Sequence, residues 1–183
     1  MRRMSVNRPK EKVRGVERRL RVLDRWADSF KGCFPIEHSN QQYWNWKLPV
    51  LDRLVGPPTT NDDIQSHCTK ALLRAAAYLS EAKPKECEGA VIAVLITYPQ
   101  MFASEICVFF DREYFESFFK RDGEWQSVTP VDKLPLSNTL NFNIPSSFSE
   151  TGYIHKTKDE WEGEVTLFEE EWWSYYEKIE DVQ

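Results

Sequence analysis

The sequence holds little that enzyme chemistry usually needs. Seven glycines are spread over 183 residues, and none builds a phosphate-cradling loop, a dinucleotide turn or a Gly-x-Ser-x-Gly elbow. The three histidines, His38, His67 and His155, pair with no second His or Cys at a spacing that zinc sites use. No metal and no cofactor is expected. Cys33, Cys68, Cys87 and Cys107 contain no CxxC pair, and buried free thiols in a reducing cytosol account for them. The basic N-terminus is not followed by the apolar segment of a secretory signal. No apolar run approaches the roughly 20 residues that span a bilayer. A cytoplasmic protein without a membrane partner is the expectation.

What is present is the composition of a folded chain, with 41% hydrophobic and 29% charged residues. Its length suffices for one full core. Seven consecutive apolar residues, Ala90 to Ile96, lead into Thr97 and Tyr98, and a second run covers Glu105 to Phe110. Apolar, β-branched runs without alternation are strands buried on both faces. The intervening Pro99 to Ser104 is long enough to reverse the chain, which predicts an antiparallel pair at the centre of a sheet.

Around that pair the periodicities change. Val13, Val16, Leu20, Leu23, Ala27 and Phe30 form one helical stripe, stopped at Gly32. Trp44, Trp46 and Leu48 alternate as in a short strand. Thr60 and Asp63 open a helix with the buried stripe Ile64, Cys68, Ala71, Leu72, Ala75 and Leu79, closed by Pro84. Tyr114, Phe115, Phe118 and Phe119 predict a short helix. Asp122-Gly123 marks a turn before a strand at Glu124–Val128. Residues 129–150 read as a surface connection, Gly152–Lys156 and Val165–Phe168 as strands, and Glu169–Ile179 as a helix with three acids in its first turn. The sum is an α+β fold. Residues 1–12 are expected to form a mobile basic arm, and residues 13–183 a single domain with a mostly antiparallel central sheet and flanking helices.

Charge is unevenly placed. Residues 1–31 hold eleven Lys/Arg against four acids, and residues 150–183 hold eleven acids against three lysines. Arg14, Arg18, Arg21 and Arg25 repeat at helical steps, so they are either a basic patch for an acidic partner or a solvated face. No aromatic or glycine-rich nucleic-acid module accompanies them, which argues against nucleic acid. The acidic end interleaves carboxylates with aromatics: Glu160, Trp161, Glu162, Glu164, Glu169, Glu170, Glu171, Trp172 and Trp173. Trp supplies rigid contact area and carboxylates steer a basic partner. The alternative is that these aromatics are core and the acids solvate the opposite face.

Weaker chemistry is also legible. Asp111 and Glu113 follow a buried strand, and with Glu105 they are the acids from which a metal-dependent hydrolase would be built. Asp111 serves equally as the cap of the following helix. Glu81-Ala82-Lys83 matches the end of a nuclease-type pattern, but on a helix where that pattern needs a strand. Cys107 and His155 are the remaining candidates for a nucleophile and base, and a core cysteine with a surface histidine is the simpler account of them.

Arg14-Gly15-Val16 with Arg18-Arg19-Leu20, Tyr43-Trp44 with Leu48-Pro49, Ser104-Glu105-Ile106 with Phe109-Phe110-Asp111, then Tyr114-Phe115 and Phe118-Phe119 are carried in order. Over roughly residues 13–130 these strings resemble a family of small bacterial cytoplasmic proteins of uncharacterised function. The resemblance implies a bacterial, cytoplasmic, single-domain protein and brings no catalytic residues. In size and composition such proteins look similar to immunity proteins that neutralise a cognate toxin. The expected function is therefore a non-enzymatic protein-binding module, an inhibitor that covers a toxin's basic site. The alternatives are the hydrolase around Asp111 and a nucleic-acid-binding protein using the arginine stripe. Oligomeric state is not encoded legibly.

Overall fold

The computed structural model describes residues 15–49, 62–98, 101–120, 125–127, 134–161 and 164–178, with the backbone alone for 102, 119, 120, 125–127, 151–161 and 164–171. The predicted arm at residues 1–12, Thr60 and the Asp122-Gly123 turn lie outside these residues.

Period-two alternation sets the layout. In β2 (Val91–Tyr98), Ile92, Val94 and Ile96 enter one apolar cluster while Val91, Ala93 and Leu95 enter another on the opposite face. β3 (Glu105–Phe109) divides in the same way, with Ile106 and Val108 on the first face and Cys107 and Phe109 on the second. The two strands are antiparallel, Val91 opposite Phe109 and Leu95 opposite Glu105. Burial on both faces is what their unbroken apolar runs require. β1 (Tyr43–Lys47) flanks β3, as the alternation of Trp44 and Trp46 predicts. With β4 (Trp125–Ser127), β5 (Phe148–Trp161) and β6 (Glu164–Glu177), the described residues form one antiparallel sheet in the order β1-β3-β2-β6-β5-β4. The fold is α+β, as expected.

Helices cover both faces. α1 (Val16–Asp28) and α2 (Asp62–Glu81) pack on the first face. Every residue of the predicted α2 stripe is buried, and the helix ends before Pro84, whose ring cannot continue it. α1 buries Leu23 and Ala27, and beyond it the chain turns at Gly32, whose φ of +72° is left-handed and favours glycine. The second face receives α3 (Arg112–Lys120), where Phe115 packs on Phe109 and on Tyr176 of β6.

Two expectations are corrected. Residues 169–177 are strand, not helix. Trp173 and Tyr175 enter the first cluster, while Trp172 and Tyr176 pack on the second. A helix would bury one stripe, whereas pairing with β2 from Ala93 to Tyr98 buries aromatics on both sides and satisfies the backbone. Residues 134–150 are also more than a surface connection. They contain α4 (Leu136–Thr139), and Leu136, Leu140, Phe142 and Phe148 are core residues. Leu136 lies in α4, Leu140 caps its end, Phe142 follows in the loop and Phe148 opens β5, so no single period exposes them in the sequence. The two short strands predicted after residue 150 are the middle of β5 and the start of β6. Among the described residues, no helix is long and apolar enough to cross a membrane.

Candidate functional site

β5 and β6 pair over their whole 14-residue lengths, from Phe148 opposite Glu177 to Trp161 opposite Glu164. Only the base of this ribbon belongs to the sheet proper. β6 meets β2 through Glu171–Tyr176, and β5 meets β4 through Tyr153–His155. Residues 156–161 and 164–170 pair only with each other among the described strands. At about 3.3 Å per residue, seven residues extend the ribbon about 23 Å beyond the pairing with β2.

The predicted contact residues Glu160, Trp161, Glu164, Glu169, Glu170 and Glu171 all lie on the backbone of this ribbon, while Glu162 is outside the described residues. Glu169, Glu170 and Glu171 are consecutive strand positions instead of one helical turn. The register sets Glu169 opposite Lys156 and Glu170 opposite His155. Trp173 is 4% exposed and belongs to the core, so it leaves the contact surface. Trp172 is half-buried against the second cluster.

Two polar networks fix the ribbon's base, and sequence reading missed both. Glu177 closes the first. Its carboxylate accepts from Lys83 Nζ at 2.5 Å and from the Ser80 hydroxyl, while Lys83 also donates to the Ala90 carbonyl at 2.7 Å. The two charged side chains are 14–15% exposed, a setting in which removing one partner strands the other. Glu150 closes the second network. It accepts from the Tyr175 hydroxyl at 2.6 Å, from the Ser137 hydroxyl at 2.7 Å and from the Ser137 amide at 3.1 Å, capping α4. Burial, reinforced by the hydrogen bond to Glu150, pushes the Tyr175 hydroxyl pKa up. The sequence offers no signal for these pairs, since Lys83 and Glu177 stand 94 residues apart.

The other candidates separate. Arg18, Arg21 and Arg25 are exposed on α1, and Arg14 is outside the described residues. The opposite charges of α1 turn to α2, where Asp24 Oδ1 meets His67 Nε2 at 3.1 Å and Arg74 Nη2 at 2.9 Å. Asp111 Oδ1 accepts the Tyr114 amide at 3.1 Å and caps α3, the helix-capping alternative. Glu113 is exposed. Glu105 accepts from Asn45 Nδ2 at 2.6 Å and lies beside Cys107, whose thiol pKa is raised by burial and then by that carboxylate. Lys83 of the Glu81-Ala82-Lys83 pattern is held by Glu177. His155 has only its backbone described. Among the described residues, no three His, Cys, Asp or Glu side chains are grouped to hold a metal ion.

A family model described as a protein of unknown function (DUF3916) matches residues 24–177. The match runs through β5 and β6, past the roughly 13–130 span of the strings that carry the resemblance. Neither the curated proteins nor the solved structures searched provide a match.

Proposed function

The chain belongs to DUF3916, a family of proteins of unknown function, and on that premise we propose a role in protein–protein contact, with the β5–β6 ribbon as the contact arm. The observation that carries this reading is the ribbon's reach past the sheet, on a base tied to α2 and α4. A two-stranded ribbon alone is marginally stable in water, and a partner that packs on it supplies the missing burial. Residues 156–171 carry seven acids against two lysines, a balance that speeds encounter with a basic protein. The finer reading is a bacterial, cytoplasmic immunity protein that covers the basic site of a cognate toxin and performs no catalysis. The structural engagements of Asp111, Glu105 and Lys83 support it over a hydrolase.

The test is affinity capture from the native lysate at low and moderate salt, comparing the wild-type chain with a Glu169→Lys/Glu170→Lys/Glu171→Lys variant. A stoichiometric basic protein held by the wild type and lost from a variant with unchanged thermal unfolding is expected. A partner retained equally by both removes the ribbon from the interface. Recovery of nucleic acid in place of protein transfers the function to the exposed arginine face of α1.

A further inference from the structure

We propose that the cleft between α1, β1 and the turn after α1 is a binding site for an alkylated ammonium group, independent of the ribbon. The cleft holds about 240 Å³, below the roughly 300–1,000 Å³ of sites for drug-sized ligands and suited to a small head group. Its walls are Trp26, Phe30, Phe34 and Trp46, with Glu37 and Cys33 also lining it.

The arrangement of the rings matters more than their number. Phe30 stands perpendicular to Trp26 (83°) and to Trp46 (90°), both at 5.1 Å between centroids. Perpendicular rings make a corner instead of a closed stack, and Trp26, Phe34 and Trp46 remain partly exposed. An aromatic face is the negative end of its quadrupole and attracts a cation. Glu37 is the one charged residue in the lining, and no Lys, Arg or His is among the lining residues. Aromatic surface and a carboxylate whose neighbouring basic group, His38 Nε2 at 3.7 Å, stands outside the lining select a positive ligand with an apolar coat, which describes a methylated ammonium. A bare inorganic cation needs more oxygen ligands than one carboxylate supplies. An anion is repelled by Glu37. The hydroxyl of Ser29, also in the lining, already donates to the Trp26 carbonyl at 2.7 Å, so it does not compete for the ligand.

Cys33 provides a readout built into the site. Against the expectation of four buried thiols it is exposed, while Cys68, Cys87 and Cys107 are buried, so an occupied cleft shields one thiol. The experiment follows alkylation of Cys33 by iodoacetamide in the full chain during titration with choline, an N-trimethyllysine amide, and 3,3-dimethylbutanol as the neutral analogue of choline. Saturable protection by an ammonium compound at millimolar concentration is expected, with the neutral analogue at least about tenfold weaker, the difference that one desolvated cation–π contact contributes. Stronger protection by choline assigns a free small molecule, and stronger protection by the lysine derivative assigns a modified side chain. Either supports the site. Glu37→Gln, checked for unchanged thermal unfolding because Glu37 also meets His38 Nε2 at 3.7 Å, weakens the ammonium ligands several-fold and leaves the neutral analogue unchanged. Trp46→Leu abolishes protection. Equal protection by the neutral analogue, or none by any ammonium compound, overturns the proposal. None of these outcomes depends on the ribbon.

Discussion

Cys68 shows how burial governs a single group. It sits at 0% exposure in α2, and desolvation pushes its thiol pKa up to about 12 from 9.0. The folded chain therefore keeps this proton after the unfolded chain has begun to lose it. Stability linked to Cys68 is complete below pH 9 and declines as pH rises from 9 toward 12, at up to about 1.4 kcal/mol per pH unit. Cys107 adds a decline of the same sign, from burial and then from the negative charge of Glu105. Urea unfolding measured between pH 8 and about 10.5 is expected to show this slope, and Cys68→Ala to flatten it. An identical slope in the variant would place the titration elsewhere. The packing role of Cys68 was legible from its place in a helical stripe. The geometry around Asp24 was not, because His67 and Arg74 come from another helix.

At the scale of elements, the ribbon is the part where local and tertiary signals disagree. Glu169-Glu170-Glu171 before an aromatic run reads as an acidic first helical turn, and Trp172 with Tyr176 fits an i,i+4 pair equally well. Pairing decides the matter, since β2 presents an unfilled edge and apolar surface on both faces. The lock at the base of the ribbon makes a prediction here. Lys83→Met leaves Glu177 half-satisfied in a place with little water, and is expected to destabilise the fold by about 2–4 kcal/mol. The double variant Lys83→Met/Glu177→Leu recovers most of that loss, because no lone charge remains. A double-mutant cycle in urea separates this outcome from simple addition of two independent losses, which would show that the pair does not couple.

For the whole molecule, the sheet order concentrates burial in its middle. β2 has strand neighbours on both edges and a covered cluster on each face, whereas the far half of the β5–β6 ribbon pairs only internally among the described residues. Native-state hydrogen exchange is expected to be slowest at the amides of Ile92–Ile96 and faster by orders of magnitude at residues 156–161. Similar protection in both would mean that the ribbon is packed as firmly as the core, and would withdraw its role as an arm. The charge asymmetry also acquires a layout, with exposed arginines on α1 over one face and the acidic run on the extended ribbon.

The sequence by itself determined the elements whose period is unambiguous. The apolar runs of β2 and β3 allow no solvated face, and the stripes of α1, α2 and α3 each match 3.6 residues per turn over several turns. It also determined the α+β class and the small set of free thiols. Tertiary structure alone decided the rest. β6 became a strand because a partner edge was available. Trp173 went to the core, and Lys83, Glu150 and Asp24 found partners far along the chain. The aromatic cleft exists because Trp46 of β1 packs on Phe30, just past the end of α1, and Phe30 packs in turn on Trp26 of α1. Contacts of long sequence separation leave no period behind, so only the folded chain reveals them.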